Sequence, residues 1–214
     1  MVLLGPSVGS VRKLLAICES SAMEHGLTYN TEKSKVLLFK GRLGEPAHVP
    51  PTMLDGKLLQ RVTSFRYLGH VVTDDLSDDA DIERERRALA VRGNMIARRF
   101  ARCSVQVKIT LFKAYCQSFY SSSLWVSHTR RAANVLRVQY NNIFRMLMRL
   151  PPYCSASLMF AEARTDGYSA IIRKKVASLI RRVRDSSNGI LEMIAARLDC
   201  PIQFKWVKII TGQD

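Results

Sequence analysis

Arginine is the residue type with which this chain could do most chemistry. Arg84, Arg86, Arg87, Arg92, Arg98, Arg99 and Arg102 form one row, and Arg130, Arg131, Arg137, Arg145 and Arg149 form a second. A guanidinium stays charged and offers a planar fork of donors that matches a phosphate in two bonds. Rows of this kind suit contacts to a nucleic-acid backbone, which position a partner without reading its bases. A third cluster, Arg173, Lys174, Lys175, Arg181, Arg182 and Arg184, alternates with Ile171, Ile172, Val176, Leu179, Ile180 and Val183. That pattern predicts a basic amphipathic helix, which fits nucleic-acid contact, nuclear localisation or plain solubility. The bland reading of any single row is a solvated helix face. The charge balance of the whole chain decides against it for the rows taken together.

Formal charge is +15, and its distribution is one-sided. Residues 1–80 hold 9 Lys or Arg against 9 Asp or Glu, whereas residues 81–214 hold 24 against 9. Such an excess favours a polyanionic partner. The other candidate chemistries are weaker. Asp74, Asp75, Asp78, Asp79 and Asp81 lie in one local run, while two-metal catalysis needs carboxylates converging from separate strands. The run reads as helix capping and solvent-facing charge, with no metal. Cys18, Cys103, Cys116, Cys154 and Cys200 are scattered and odd in number, so no disulfide framework is implied, and no Cys or His pair has zinc-ligand spacing. No Gly-rich phosphate loop and no Ser-His-Asp arrangement can be drawn, and Trp125 and Trp206 read as packing residues.

These residues need elements to hold them. A stub of strand is predicted over residues 1–4, stopped by Gly5-Pro6. A helix then starts at Ser7 or Ser10 and ends near Gly26, with Val11, Leu14, Leu15, Cys18 and Ala22 on one face. A strand follows over 35–39, and 41–51 is a loop. Asp55-Gly56 between apolar residues is a two-residue hairpin turn, because both positions want positive φ. Residues 62–72 read as one strand, with Gly69 marking a bulge or a close approach of backbone. A long helix is capped by Ser77 or Asp78 and runs to about 102. Ser104 caps the next, with Val107, Leu111, Phe112, Tyr115, Phe119 and Tyr120 as its apolar stripe. Thr129 caps a third, with Ala132, Val135, Leu136, Ile143, Phe144, Leu147 and Met148 inward, stopped by Pro151-Pro152. Further helices are expected over 155–164, 168–185 and 190–198, and 204–214 reads as a strand or a frayed tail. There is no internal repeat and no low-complexity tract. No signal peptide and no apolar run of about 18 residues is visible, so an intracellular compartment, nucleus or cytoplasm, is expected, with no membrane partner.

Two motifs carry a resemblance. Phe65-Arg66-Tyr67-Leu68-Gly69, followed by an acidic loop and a basic helix, resembles the primer-grip hairpin of reverse transcriptases of non-LTR (LINE-type) retrotransposons. Asn30-Thr31-Glu32-Lys33-Ser34-Lys35, running into an apolar strand, resembles the preceding motif of that family. The resemblance implies that Phe65, Arg66, Tyr67, Leu68 and Gly69 contact the primer strand, with Tyr67 leaning towards the core. It also implies that Lys33, with Lys35 as the alternative, is the general acid that protonates the departing pyrophosphate.

The family's aromatic-Ala-Asp-Asp box, which holds catalytic Mg2+, does not occur in these residues, and the chain opens on the apolar strand that follows that box. The expectation is therefore the trailing part of such a polymerase, an α+β chain with three parts. Residues 1–75 are a small partial palm, a β-α-β fragment plus hairpin; 76–150 are a mainly α-helical thumb bundle; 151–214 are further helices. Arg84, Arg87, Arg92, Arg98, Arg99, Arg130, Arg131, Arg173, Lys174 and Lys175 are the candidate contacts to nucleic acid, whether RNA/DNA hybrid, RNA or DNA. The chain alone is expected to bind no cofactor and not to polymerise, and a further partner could be the upstream polymerase part. Rival readings are a domesticated or relic nucleic-acid-binding module and a basic helical protein-interaction domain.

Overall fold

The computed structural model describes residues 1–41, 48–197 and 199–212. It is a mixed α+β chain, with eight helices and three two-stranded sheets among the described residues. It divides into two units, one of Met1–Tyr67 with Val71–Ser77, the other of Leu68–His70 with Asp78–Asp214.

In the first unit, α1 (Val8–Glu24) starts where the Ser7 hydroxyl accepts the Ser10 N–H at 3.1 Å, satisfying one orphan donor of the first turn. The predicted face is the inward one: Leu15 and Ala22 are buried, and Val11, Leu14 and Cys18 are half-buried. β1 (Lys35–Leu37) pairs in parallel with β4 (Gln60–Val62), Val36 opposite Arg61. Between them β2 (Met53–Leu54) and β3 (Lys57–Leu58) form the expected hairpin, with Asp55 at φ +49° and Gly56 at +69°. Leu15, Leu54 and Leu59 make a small core, edged by Leu3, Val11, Tyr29 and Val36.

Four expectations for this unit are corrected. Residues 1–4 form no strand and pair with no strand among the described residues, Leu3 packing at the edge of the small core, so the β-α-β fragment is not built. The parallel pair is β1 with β4, and β1 ends at Leu37 rather than Phe39. The stretch 62–72 is two strands, β5 (Ser64–Tyr67) and β6 (His70–Thr73), reversed at Leu68 (φ +46°) and Gly69 (φ +86°). Two successive positive φ values turn the chain back, as in a type I′ hairpin. Tyr67 is 43 % exposed, not core, since all four residues of β5 are exposed. Of the loop expected over 41–51, residues 42–47 lie outside the described residues.

The second unit is helical. It contains α2 (Asp79–Arg99), α3 (Val105–Cys116), a short 3-10 turn at Ser122–Leu124, and α4 (Arg130–Met148). It continues with α5 (Ala156–Glu162), α6 (Tyr168–Arg184), α7 (Gly189–Ala196) and α8 (Pro201–Thr211). Ser104 and Thr129 cap α3 and α4 by accepting the Val107 and Ala132 N–H groups. Arg149 ends α4 in the left-handed region at φ +55°, two residues before the prolines.

Ile82, Leu89 and Ile96 of α2 share one core with Leu136, Tyr140, Ile143, Phe144 and Leu147 of α4 and Phe112 and Cys116 of α3, to which Phe119, Trp125, the α5 residues Met159 and Phe160, and Ile171 of α6 also belong. The Phe112 ring lies 4.9 Å from Phe144 and 5.0 Å from Tyr140, distances at which aromatic pairs add to area burial. α2 and α4 pack tightly at Gly93, where a Cβ would stand 2.7 Å from Ile143 Cγ2.

The apolar stripe of α3 is also corrected. Ile109, Phe112 and Cys116 face inward at helical spacing, while Val107, Tyr115 and Tyr120 are exposed; Phe119 is buried from the loop beyond the helix end. In α4, Val135 is exposed and Tyr140 takes a central place that its polar tip had hidden. Residues 201–211 are helix, neither strand nor tail. Pro201 stands at the first turn, where its missing N–H costs nothing. Trp206 and Ile209 then pack on Val176 and Val183 of α6. No described helix is long and apolar enough to cross a membrane.

Candidate nucleic-acid interface

Helix α2 carries two kinds of charge on different faces. Asp78, Asp81 and Glu85, at helical spacing, are all buried. Asp78 Oδ2 accepts the Val126 and Ser127 N–H groups, each at 2.7 Å. Asp79 accepts the Thr129 N–H at 2.8 Å and its hydroxyl at 2.9 Å. These bonds fix the start of α4 beside the start of α2. Burial pushes the Asp78 carboxyl above its ordinary range, against the opposing pull of the two N–H donors.

Asp81 is fully buried and fully used. Its Oδ1 accepts Arg84 Nε at 2.6 Å, and its Oδ2 accepts Trp125 Nε1 at 2.8 Å and the Ser121 hydroxyl at 2.9 Å. His70 Nδ1 stands 3.0 Å from Asp81 Oδ2. Glu85, equally buried, takes Arg84 Nη1 at 3.1 Å and Arg92 Nη2. Asp78 is the N-cap residue of α2, one of the two expected, but its carboxylate makes no cap bond to the helix's own N–H groups, and the expectation of solvent-facing charge is overturned for Asp74, Asp78 and Asp81, which are all buried. A carboxylate in this position can be buried because its donors arrive from a loop about forty residues on, which no local pattern displays.

The same geometry sorts the arginines. Arg84 and Arg92 are 20 % and 24 % exposed and spent on Asp81 and Glu85. Arg86 and Arg87 share Glu83, whose carboxyl is lowered to about 2, chiefly by the Arg86 hydrogen bond. Arg98 and Arg99, in the last turn of α2, and Arg130 and Arg131, in the first turn of α4, are exposed, and none of the four has an acidic partner among the described residues.

On α6, Arg173 is exposed, while Lys174 holds both oxygens of Asp166, at 2.8 and 2.6 Å. Lys175 is half-buried, and burial lowers its pKa against the opposing pull of nearby Glu85. The three neighbours thus have three different roles. Sequence position alone had grouped them.

A further signal lies in the sequence itself, in where the acids stop. Residues 86–161 contain 13 Lys or Arg and not one Asp or Glu. α3 and α4 contain no acid that could neutralise their cations, and the acids of α2 are already paired, Asp81 and Glu85 with Arg84 and Arg92, Glu83 with Arg86 and Arg87, and Asp79 with Thr129.

The hairpin residues divide between the units. Phe65, Arg66 and Tyr67 belong to the first and are exposed; Leu68 and Gly69 belong to the second. Leu68 is 72 % exposed, and a Cβ on Gly69 would stand 3.1 Å from the Tyr120 ring, the close approach expected of this glycine. In the first unit Asn30 Oδ1 accepts the Lys33 N–H at 3.0 Å and leaves the Lys33 side chain exposed, whereas Lys35 Nζ donates to Gln60 Oε1 at 2.6 Å. Of the two lysines, Lys35 has its ammonium engaged and Lys33 has the exposed side chain.

Compared with models of known protein families, with curated proteins and with solved structures, the chain matches none.

Proposed function

We propose that the helical unit binds the phosphate backbone of nucleic acid, and that the chain is part of an RNA-directed DNA polymerase of the non-LTR retrotransposon type. In this reading the Phe65 to Gly69 hairpin is a primer grip and α2, α3 and α4 are the thumb. One observation carries the binding: a basic, acid-free run over 86–161, with Arg98, Arg99, Arg130 and Arg131 exposed and unneutralised among the described residues. A thumb must follow a duplex product of any sequence, and phosphate contacts do so because they carry no base information.

Catalysis is assigned elsewhere. Mg2+ in such polymerases needs converging carboxylates, and the acids near the hairpin do not fit. Asp75 is held by Thr73 and Ser77, Asp78 by Val126 and Ser127, Asp79 by Thr129, and Asp81 by Arg84, Ser121 and Trp125. No step is routed through the metal. Lys33 would serve as general acid only in company with a polypeptide that supplies those carboxylates, the second partner this reading requires.

The test is a titration of the protein with an RNA/DNA hybrid between roughly 50 and 200 mM salt. Six to ten phosphate contacts weaken affinity by about three to five orders of magnitude over that range, because each releases counterion. A salt-independent affinity overturns the binding. Primer extension with Mg2+ is expected to give no product from these 214 residues, and robust extension overturns the assignment of catalysis elsewhere.

A further inference from the structure

A second basic feature lies outside the arginine rows of α2 and α4. A cleft of about 380 Å³ opens where α3, α5 and the start of α6 meet, and Lys113, Gln117, Arg164, Thr165, Asp166 and Lys174 form its polar lining. We propose that this cleft is a binding site for a phosphate group, taken either as free phosphate or as the terminal phosphate of a nucleic-acid strand. The site does not depend on the duplex-binding reading.

The backbone supplies the first argument. After α5 the Arg164 N–H bonds the Ala161 carbonyl and the Thr165 N–H bonds the Phe160 carbonyl, both at 3.0 Å, which is the pairing of a Schellman helix end. The residue at its hinge must adopt a positive φ, where glycine fits best, yet it is Arg164 at φ +45°. Here the residue gained is Arg164, which lines the cleft, and its side chain makes no hydrogen bond among the described residues.

The cleft also holds unspent donors. Lys113 Nζ spends one N–H on the Arg164 carbonyl at 3.0 Å and keeps two. Lys174 is oriented by both oxygens of Asp166 and keeps one. Three cations against one carboxylate leave an excess of two positive charges, which a phosphate dianion neutralises. The floor is rigid: the Tyr140 hydroxyl donates to the Asp166 carbonyl at 2.7 Å, and Gln117 Nε2 lies 2.9 Å from the Tyr140 oxygen and 3.2 Å from the Thr165 hydroxyl. A preformed cradle holds an anion without first having to be ordered.

The experiment follows the amide signals of Thr165 and Asp166 while the full chain is titrated with inorganic phosphate, and with a short oligonucleotide with and without a 5′-phosphate. Saturable shifts are expected with phosphate, weakened at least about ten-fold in Arg164→Gly and in Lys113→Gln. Should Lys113→Gln fail to fold, Arg164→Gly carries the test, since glycine is the better residue for that backbone. Tighter binding of the 5′-phosphorylated strand, lost in Arg164→Gly, identifies a strand end as the source; equal oligonucleotide binding with phosphate still bound identifies free phosphate. Cleft amides that respond to neither ligand, or an Arg164→Gly protein that binds phosphate as tightly as the parent, overturn the proposal. Duplex affinity measured on the same variant separates the two readings, because loss of phosphate binding with duplex binding intact touches the cleft alone.

Discussion

The Trp125 indole N–H reaches the carboxylate of Asp81 at 2.8 Å across 44 residues of sequence. Both groups are buried, and the bond ties the first turn of α2 to the loop that leads into α4. Trp125→Phe removes the donor and keeps most of the ring. It is expected to cost about 1–3 kcal/mol in urea denaturation near neutral pH, the penalty of an under-satisfied buried acceptor. Asp81→Ala leaves Arg84 without its first partner and is expected to cost about 3–5 kcal/mol. The double variant should fall short of the sum, since both changes break one network. Strict additivity would show that Asp81 does not need the indole.

Gly93→Ala is expected to destabilise even though alanine is the better helix former by about 1 kcal/mol. The added methyl would stand 2.7 Å from Ile143 Cγ2 and 2.9 Å from its Cγ1, so α2 and α4 must part or Ile143 must leave its rotamer, at about 1–3 kcal/mol. Ile143→Ala alone opens a cavity worth about 2–5 kcal/mol. Combined with Gly93→Ala it should cost less than the sum, because the new methyl fills part of that space. Equal stabilities of Gly93→Ala and parent in thermal melts would remove the packing argument.

Much of the helical unit was legible because its signals are local. Ser104 and Thr129 cap where their hydroxyls can reach the next turn, Leu136, Ile143, Phe144 and Leu147 recur at helical spacing, and Pro151 cannot continue a helix. What escaped depends on partners far along the chain. The parallel pairing of β1 with β4 spans 25 residues, the burial of Asp81 needs Ser121 and Trp125, and α8 is amphipathic only in relation to α6. The candidate interface suffered in the same way. Arg84 and Arg98 look alike as letters on one helix, and only the position of Asp81 and Glu85 separates the arginine that braces the fold from the one that faces solvent.

Glu83 makes a pH prediction whose sign is fixed. Its folded pKa of about 2 lies below the ordinary 4.5, first through the Arg86 hydrogen bond. The associated stability is present above about pH 4.5 and is lost as pH falls towards 2. The side chain is 40 % exposed, so solvent screening holds the effect to about 1 kcal/mol or less. Glu83→Gln should therefore lower the melting temperature above pH 4.5 and converge on the parent near pH 2. Asp78 acts oppositely, because its raised pKa makes its contribution decline as pH rises through it. A Glu83→Gln difference that stays constant with pH would refute the linkage.

Thiol reactivity should follow burial. Cys116 is fully buried, and burial pushes its thiol up to about 12, while Cys18, Cys103 and Cys154 are half-buried. Because the thiolate is the nucleophile, iodoacetamide near neutral pH is expected to modify those three before Cys116, which should react only as the protein unfolds. Early labelling of Cys116, read by peptide mass, would mean that the α3–α4 core opens in the native state.

The arginines of α2 and α4 supply the sharpest test, because the structure divides residues that share a charge and a helix. Arg98 and Arg99 are exposed without acidic partners among the described residues, so Arg98→Gln with Arg99→Gln should cost no more than about 1–2 kcal/mol, the loss of two cations from the last turn of α2. The same change should weaken binding to an RNA/DNA hybrid and flatten its dependence on log salt by about 0.9 for each phosphate that is no longer neutralised. Arg92→Met should do the reverse. It strands buried Glu85 with one guanidinium fewer, so stability should fall by about 3–5 kcal/mol, while the salt slope measured on the folded fraction stays at the parental value. If both variants lose affinity and slope alike, the exposed ends of α2 are not the binding surface; if neither does, the basic rows are solvated faces.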